Sequence, residues 1–66
     1  MDNVIIYNEL LGNRVSLVYD DYDYEVRLND EVVVTTGDET EAEMIAESLD
    51  VALSILLNKN LLKENG

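Results

Sequence analysis

A change in the spacing of apolar residues divides this chain in two at Gly37. Before Gly37, residues 14–20 and 22–28 alternate with the two-residue period of a β-strand, residues 3–11 are partly apolar on both faces, and residues 31–36 are a β-branched run. After it, apolar residues recur at the three- and four-residue spacing of a helix, and neither Gly nor Pro interrupts residues 40–64. This order predicts strands that pair with one another, followed by one helix that covers them.

Turn signals split the first part into four strands, which we expect over about 3–11, 14–20, 22–28 and 31–36. Gly12–Asn13 and Asn29–Asp30 are the turn signals, and the second is typical of a tight hairpin. In the third strand the alternation is clean, so we expect Tyr22 and Tyr24 to point into the core. Asp23, Glu25 and Arg27 would then point to solvent.

We expect the helix over about 40–62. Asp38 or Thr40 is suited to the N-cap, and Thr40 with Glu43 fits the capping-box pattern. The chain is thus predicted to be one α+β domain over residues 1–66, in which a four-stranded antiparallel sheet packs on a single C-terminal helix (β-β-β-β-α).

The apolar arc of this helix is wider than the ~100° that an amphipathic surface helix needs. We expect one apolar stripe to cover the sheet, and this stripe comprises Ile45, Leu49, Ala52, Leu53 and Leu56. Ala46 and Leu57 widen it at one edge. Only a narrow strip is polar, formed by Glu43, Glu47, Asp50, Ser54 and Asn58. Apolar residues that remain beside the first stripe predict a homodimer interface of Met44, Val51, Ile55 and Leu62. The alternative is a sheet that curls around the helix, or simple exposure.

Charge is the strongest compositional feature, because 15 acidic residues face 4 basic ones and the net charge is -11. Phosphate contacts need Lys and Arg, so direct binding to nucleic acid or to an anionic membrane is not expected. A basic protein is the natural electrostatic complement. The alternative is that the charge only keeps the protein soluble.

The sequence offers little for catalysis. It contains no Cys and no His, which removes thiol and imidazole chemistry and the common zinc sites. A calcium loop that starts at Asp21 would need Gly where Val26 stands and Glu where Val32 stands. We therefore expect no enzyme activity, no metal and no cofactor. The absence of Cys, of a signal peptide and of a long apolar run predicts a cytoplasmic protein that does not cross a membrane.

The acidic residues instead suggest a binding surface. In an extended strand, Asp21, Asp23 and Glu25 would share one face at a spacing of ~6.5–7 Å, which is similar in scale to the phosphates of one DNA strand. We expect them to join other acids in an anionic patch that binds a basic partner. The predicted patch comprises Asp20, Asp21, Asp23, Glu25, Asp30, Glu31, Asp38, Glu39 and Glu41.

In class, the chain resembles small phage-encoded inhibitors such as DNA mimics and anti-CRISPR or anti-restriction proteins. The resemblance rests on the short chain, the acid-rich segment 20–25, the acidic helix start 38–43 and the lack of Cys and His. It extends to no shared motif. It implies a non-enzymatic inhibitor that blocks a basic nucleic-acid-binding surface of a host defence or DNA-processing protein. The alternative is an assembly protein that forms a homo-oligomer through its apolar helix.

Overall fold

The computed structural model describes residues 3–62 and confirms the predicted α+β arrangement. Four strands are followed by one helix, in the order β1 (Asn3–Leu10), β2 (Asn13–Tyr19), β3 (Tyr24–Leu28), β4 (Glu31–Thr36) and α1 (Glu39–Asn58). The strands form one antiparallel sheet in sequential order. The helix packs on one face of this sheet, and within residues 3–62 no helix or strand covers the other face.

Both outer strand pairs contain a register irregularity, between Ile6 and Asn8 in β1 and beside Val26 and Arg27 of β3. Such bulges increase the local twist of an edge strand. Twisted edge strands pair less readily with another chain. The two bulges therefore disfavour edge-to-edge association of β1 and β4, which are both rich in β-branched residues.

Two hairpin turns close the sheet at one end. Asn29 and Asp30 both have positive φ (53° and 68°), as a type I′ turn requires, and this turn confirms the prediction. The first turn is shifted by one residue, because Leu11 and Gly12 form it with φ of 51° and 79° while Asn13 begins β2. A positive φ is sterically unfavourable for Leu, so nothing in the sequence indicated that Leu11 would stand in the turn.

The third strand begins two residues later than predicted. Asp20–Asp23 form the loop between β2 and β3, and Tyr24 is the first residue of β3. The expectation that Tyr22 lies in the core is wrong, because it stands in this loop with 84% of its surface exposed. Tyr24 packs against the core as predicted.

Of the two predicted N-cap residues, Asp38 is the one observed. The helix ends at Asn58, four residues before the predicted end at 62. Asp38 is the N-cap, and its carboxylate accepts hydrogen bonds from the Thr40 and Glu41 backbone N–H groups at 2.9 and 3.2 Å. The capping box at Thr40 is therefore wrong. At the other end, Asn60 adopts φ 57° while Leu61 N–H donates to the Leu56 carbonyl, and these two features form a Schellman-type stop.

The core lies between the helix and the inner face of the sheet. One cluster joins Leu17 and Val26 of the central strands to Ala42 and Ala46. A second joins Val15, Leu53 and Leu57. Among residues 3–62, no helix combines the length and the apolar character that crossing a membrane requires.

The helix is rotated about its axis relative to the predicted orientation. Ala42, Ala46, Leu53 and Leu57 are its buried residues, whereas Leu56, which we expected against the sheet, is 37% exposed. In this orientation the Asn8 side chain donates hydrogen bonds to the Asp50 carbonyl at 3.2 Å and to Ser54 Oγ at 3.0 Å. The polar strip therefore lies beside β1 and does not point directly away from the sheet.

Candidate functional site: an acidic end and two uncovered apolar faces

An antiparallel sheet returns to the same end after every second strand, and this topology gathers many of the predicted acids. The β2–β3 loop and the start of the helix both lie at the end opposite the two hairpin turns. We call this region the acidic end. It comprises Asp20, Asp21, Asp23, Asp38, Glu39 and Glu41.

Direct contacts tie the two halves of the acidic end together. The Tyr24 hydroxyl donates to a carboxylate oxygen of Glu39 at 3.2 Å, which connects the start of β3 to the start of the helix. The Tyr24 ring stacks on Tyr19 with a centroid distance of 5.9 Å, and these two residues flank the β2–β3 loop. The stacked tyrosine pair that flanks the loop is thus joined to the helix start by one hydrogen bond.

Asp20 organises the loop. Its carboxylate accepts hydrogen bonds from the Tyr22 and Asp23 backbone N–H groups at 2.8 and 2.9 Å, and these bonds hold its pKa below the usual value. Asp21, Tyr22 and Asp23 stand exposed on this turn. The loop therefore presents two carboxylates and an aromatic ring on a fixed backbone.

The negative charge continues from the acidic end along the helix through Glu39, Glu43 and Glu47, which are four residues apart. Partial desolvation raises the pKa of Glu43, and the neighbouring Glu39 and Glu47 raise it further. Burial also raises the pKa of Tyr7 on β1, with a contribution from the same glutamates. Sequence reasoning counted Glu43 in the acidic helix start and placed Glu43 and Glu47 in the polar strip, but it did not extend the acidic surface to Glu47, although the four-residue spacing was the available signal.

Three residues of the predicted patch lie elsewhere. Glu25 is on the uncovered face of the sheet, where its Oε1 accepts a hydrogen bond from Arg27 Nε at 3.0 Å. Asp30 and Glu31 lie at the hairpin end of the sheet, opposite the acidic end. The predicted linear array of Asp21, Asp23 and Glu25 on one strand face is therefore wrong, because the first two belong to the loop.

The outward face of the helix carries an apolar stripe. Met44 is 62% exposed, Val51 59% and Ile55 49%, and these residues lie across the helix from the buried Ala46 and Leu53. A shallow groove runs along the stripe between these side chains and is also lined by Ser48 and Ala52. Leu62, which we predicted in the same interface, instead packs against the core cluster of its own chain because the helix ends before it.

The sheet face away from the helix is a second uncovered surface, and the sequence analysis did not anticipate it. Val4 and Ile6 of β1 and Val32 of β4 are 57%, 46% and 49% exposed there. Two ion pairs share this face: Arg27 with Glu25, and Arg14 with Glu9, whose Nε–Oε2 distance is 3.5 Å. The only signal was the apolar character of both faces of β1.

Among residues 3–62, no group of three or more His, Cys, Asp or Glu side chains is placed to hold a metal ion. The chain matches no protein family, no curated protein and no solved structure.

Proposed function

We propose that this protein is a non-enzymatic inhibitor whose acidic end occupies a basic nucleic-acid-binding surface of another protein. The targets that fit this chemistry are host defence or DNA-processing proteins, as expected for a phage-encoded DNA mimic that acts in the cytoplasm. No cofactor takes part in this function.

The observation that carries the proposal is the convergence of the β2–β3 loop and the helix start, which brings six carboxylates to one end of a small domain. Three of these acids come from each segment, so the charge is spread over a surface and not along a line. A basic groove attracts such a surface over distances of about a Debye length, which is ~8 Å at physiological salt.

Tyr22 adds a contact of another kind. It is the most exposed large side chain at the acidic end, and tyrosine is enriched among the residues that dominate protein interfaces. Its ring lies between Asp21 and Asp23 in sequence, so a basic groove that pairs with the carboxylates would also receive an aromatic group.

The test is capture of proteins from a bacterial lysate on the immobilised protein, at low and at high salt. Basic nucleic-acid-binding proteins should be retained at low salt and released at high salt. A Tyr22→Ala variant should retain less of the same proteins, with an unchanged dependence on salt. Retention of proteins without basic character, or retention that salt does not weaken, would contradict the proposal.

An assembly role is the second candidate, and the exposed Met44, Val51 and Ile55 favour it. In that role the helix builds a homo-oligomer and the acids only provide solubility. It predicts that a lysate yields no salt-sensitive partner while a charged residue at Val51 abolishes the function in the cell. The two roles are compatible, since a dimer displays two acidic ends.

A further inference from the structure

We propose that the outward face of the helix pairs with the same face of a second copy, with the two helices antiparallel. This proposal specifies the partner and the orientation of the apolar stripe. It does not depend on whether the acidic end binds a basic protein.

The outward face has the spacing of a coiled-coil seam. Its residues alternate at separations of three and four, which is the a/d pattern of a heptad repeat. Every residue of this seam is exposed, and none is needed to cover the sheet. The seam comprises Glu41, Met44, Ser48, Val51, Ile55 and Asn58.

The order of residues along the seam suits a two-fold axis. When two antiparallel helices are centred between positions 48 and 51, Met44 meets Ile55 of the second copy and Ser48 meets Val51. Each a position then faces a d position, and the two large pairs flank two small ones. The same patch serves both copies, as a symmetric dimer requires.

The one polar residue in the middle of the seam already has a hydrogen-bond partner. The Ser48 hydroxyl donates to the Met44 backbone carbonyl at 2.8 Å within its own helix. Burying a hydroxyl without a partner is costly, but this bond persists when the second helix covers it. Ser48 is also small, so the two helix backbones can approach closely at the centre.

Charge selects the antiparallel orientation. Asp38 and Glu41 lie at the start of the helix, whereas Lys59 lies at its end. Antiparallel helices bring the acidic start of one copy beside Lys59 of the other. Parallel helices would place Glu41 beside Glu41 and Glu47 beside Glu47, and like charges in contact are unfavourable.

Two other surfaces are less suited to self-association. Two acidic ends repel each other in a protein with a net charge of -11. On the uncovered sheet face, the apolar Val4 and Val32 lie on the two outer strands, and the Glu25–Arg27 pair stands between them on β3. Burying that ion pair would cost desolvation energy, which the helix seam avoids at its centre.

Sedimentation equilibrium of the full chain at roughly 10–200 µM, a range in which small interfaces associate, tests the dimer. The wild-type protein should approach twice the monomer mass. Val51→Lys should weaken association at least tenfold. Its matched control is Val32→Lys, which makes the same change on the uncovered sheet face at a similar exposure of 49% and should leave the mass unchanged.

A monomeric wild type across this range would overturn the proposal, and so would dissociation by Val32→Lys but not by Val51→Lys. Circular dichroism of both variants separates these outcomes from unfolding. Because Val51 is 59% exposed, we expect the Val51→Lys variant to retain the wild-type spectrum.

Disulfide trapping tests the orientation, and the chain has no Cys of its own to interfere. A mixture of the Ser48→Cys and Val51→Cys variants should oxidise mainly to the mixed dimer. Dimers of each variant with itself, formed in preference to the mixed dimer, would indicate parallel helices and overturn the orientation. Efficient dimer formation by a Val32→Cys control would place the interface on the sheet face and contradict the proposal.

Discussion

Replacing Asn29 with Ala removes a link between the two hairpins of the sheet. The Asn29 Oδ1 accepts a hydrogen bond from the Arg14 backbone N–H at 2.8 Å, and its Nδ2 donates to Asn13 Oδ1 at 3.0 Å. Asn13 is buried, with 2% of its surface exposed. Asn29 also has a φ of 53°, which Asn tolerates better than Ala.

The expected loss adds three contributions. Each of the two hydrogen bonds contributes about 1 kcal/mol. The left-handed backbone costs Ala about 1 kcal/mol more than Asn. The free energy of unfolding should therefore fall by about 3 kcal/mol, in a domain for which about 3–10 kcal/mol is typical at this length. The midpoint of thermal unfolding should fall by roughly 12–24 °C.

Asp30→Ala is the matched control, because Asp30 occupies the neighbouring left-handed position with a φ of 68°. Its side chain makes no hydrogen bond within residues 3–62, so this variant should lose only about 1 kcal/mol. Urea titration of both variants measures the difference. If the two losses agree within about 0.5 kcal/mol, the side chain of Asn29 does not connect the hairpins and the reasoning is refuted.

Leu11→Asn should raise the free energy of unfolding by about 0.5–1 kcal/mol, since Asn tolerates the 51° φ of this turn; a loss in urea titration would contradict this. Leu53→Ala, at a 3% exposed position, should cost about 2–5 kcal/mol in the same assay, and a cost below 1 kcal/mol would argue against the core described above. Because the pKa of Glu43 is raised, the folded state binds this proton more tightly than the unfolded state does. Lowering the pH from that raised pKa toward the usual 4.5 should therefore stabilise the wild type, whereas Glu43→Gln should lack this contribution in thermal scans. At lower pH, stability should fall as Asp20 becomes protonated, because its folded pKa is lowered from 3.8.

The strands and the helix follow from local patterns, and for this reason they could be predicted. The alternation from Tyr24 to Leu28 and the Asn29–Asp30 turn are signals contained in a few residues. The sequence predicted the first turn at Gly12–Asn13, one residue late. Leu11 enters the turn because the flanking strands enforce its positive φ, and no local pattern indicates this. Asn60 was a possible stop signal, but its effect depends on the left-handed conformation that the sequence alone does not reveal.

The candidate site was predictable only in part, since it depends on distances between strands. Asp20 bonds to the backbone of its own loop, so Asp21 and Asp23 lie in that loop and do not form the predicted array with Glu25 on one strand face. Glu25 does not belong to the acidic end, because it forms an ion pair with Arg27 on the sheet face away from the helix. The orientation of the helix places Asp50 and Ser54 beside Asn8, a contact between residues more than forty positions apart that local patterns do not reveal.

The central claim is that the position of the acids matters, and not only their number. Two double variants with the same net charge test this directly. Asp21→Asn with Asp23→Asn removes charge from the acidic end, while Asp30→Asn with Glu31→Gln removes the same charge from the hairpin end of the sheet. Both sets avoid Asp38, which caps the helix, and Asp20, whose carboxylate accepts hydrogen bonds from the loop backbone.

The measurement is the rate of association with a basic protein captured from the lysate, followed as a function of salt. Neutralising the acidic end should slow association at least tenfold at low salt and flatten its dependence on salt. Neutralising the hairpin end should leave both nearly unchanged. Equal slowing by the two variants would show that only total charge matters and would contradict the account.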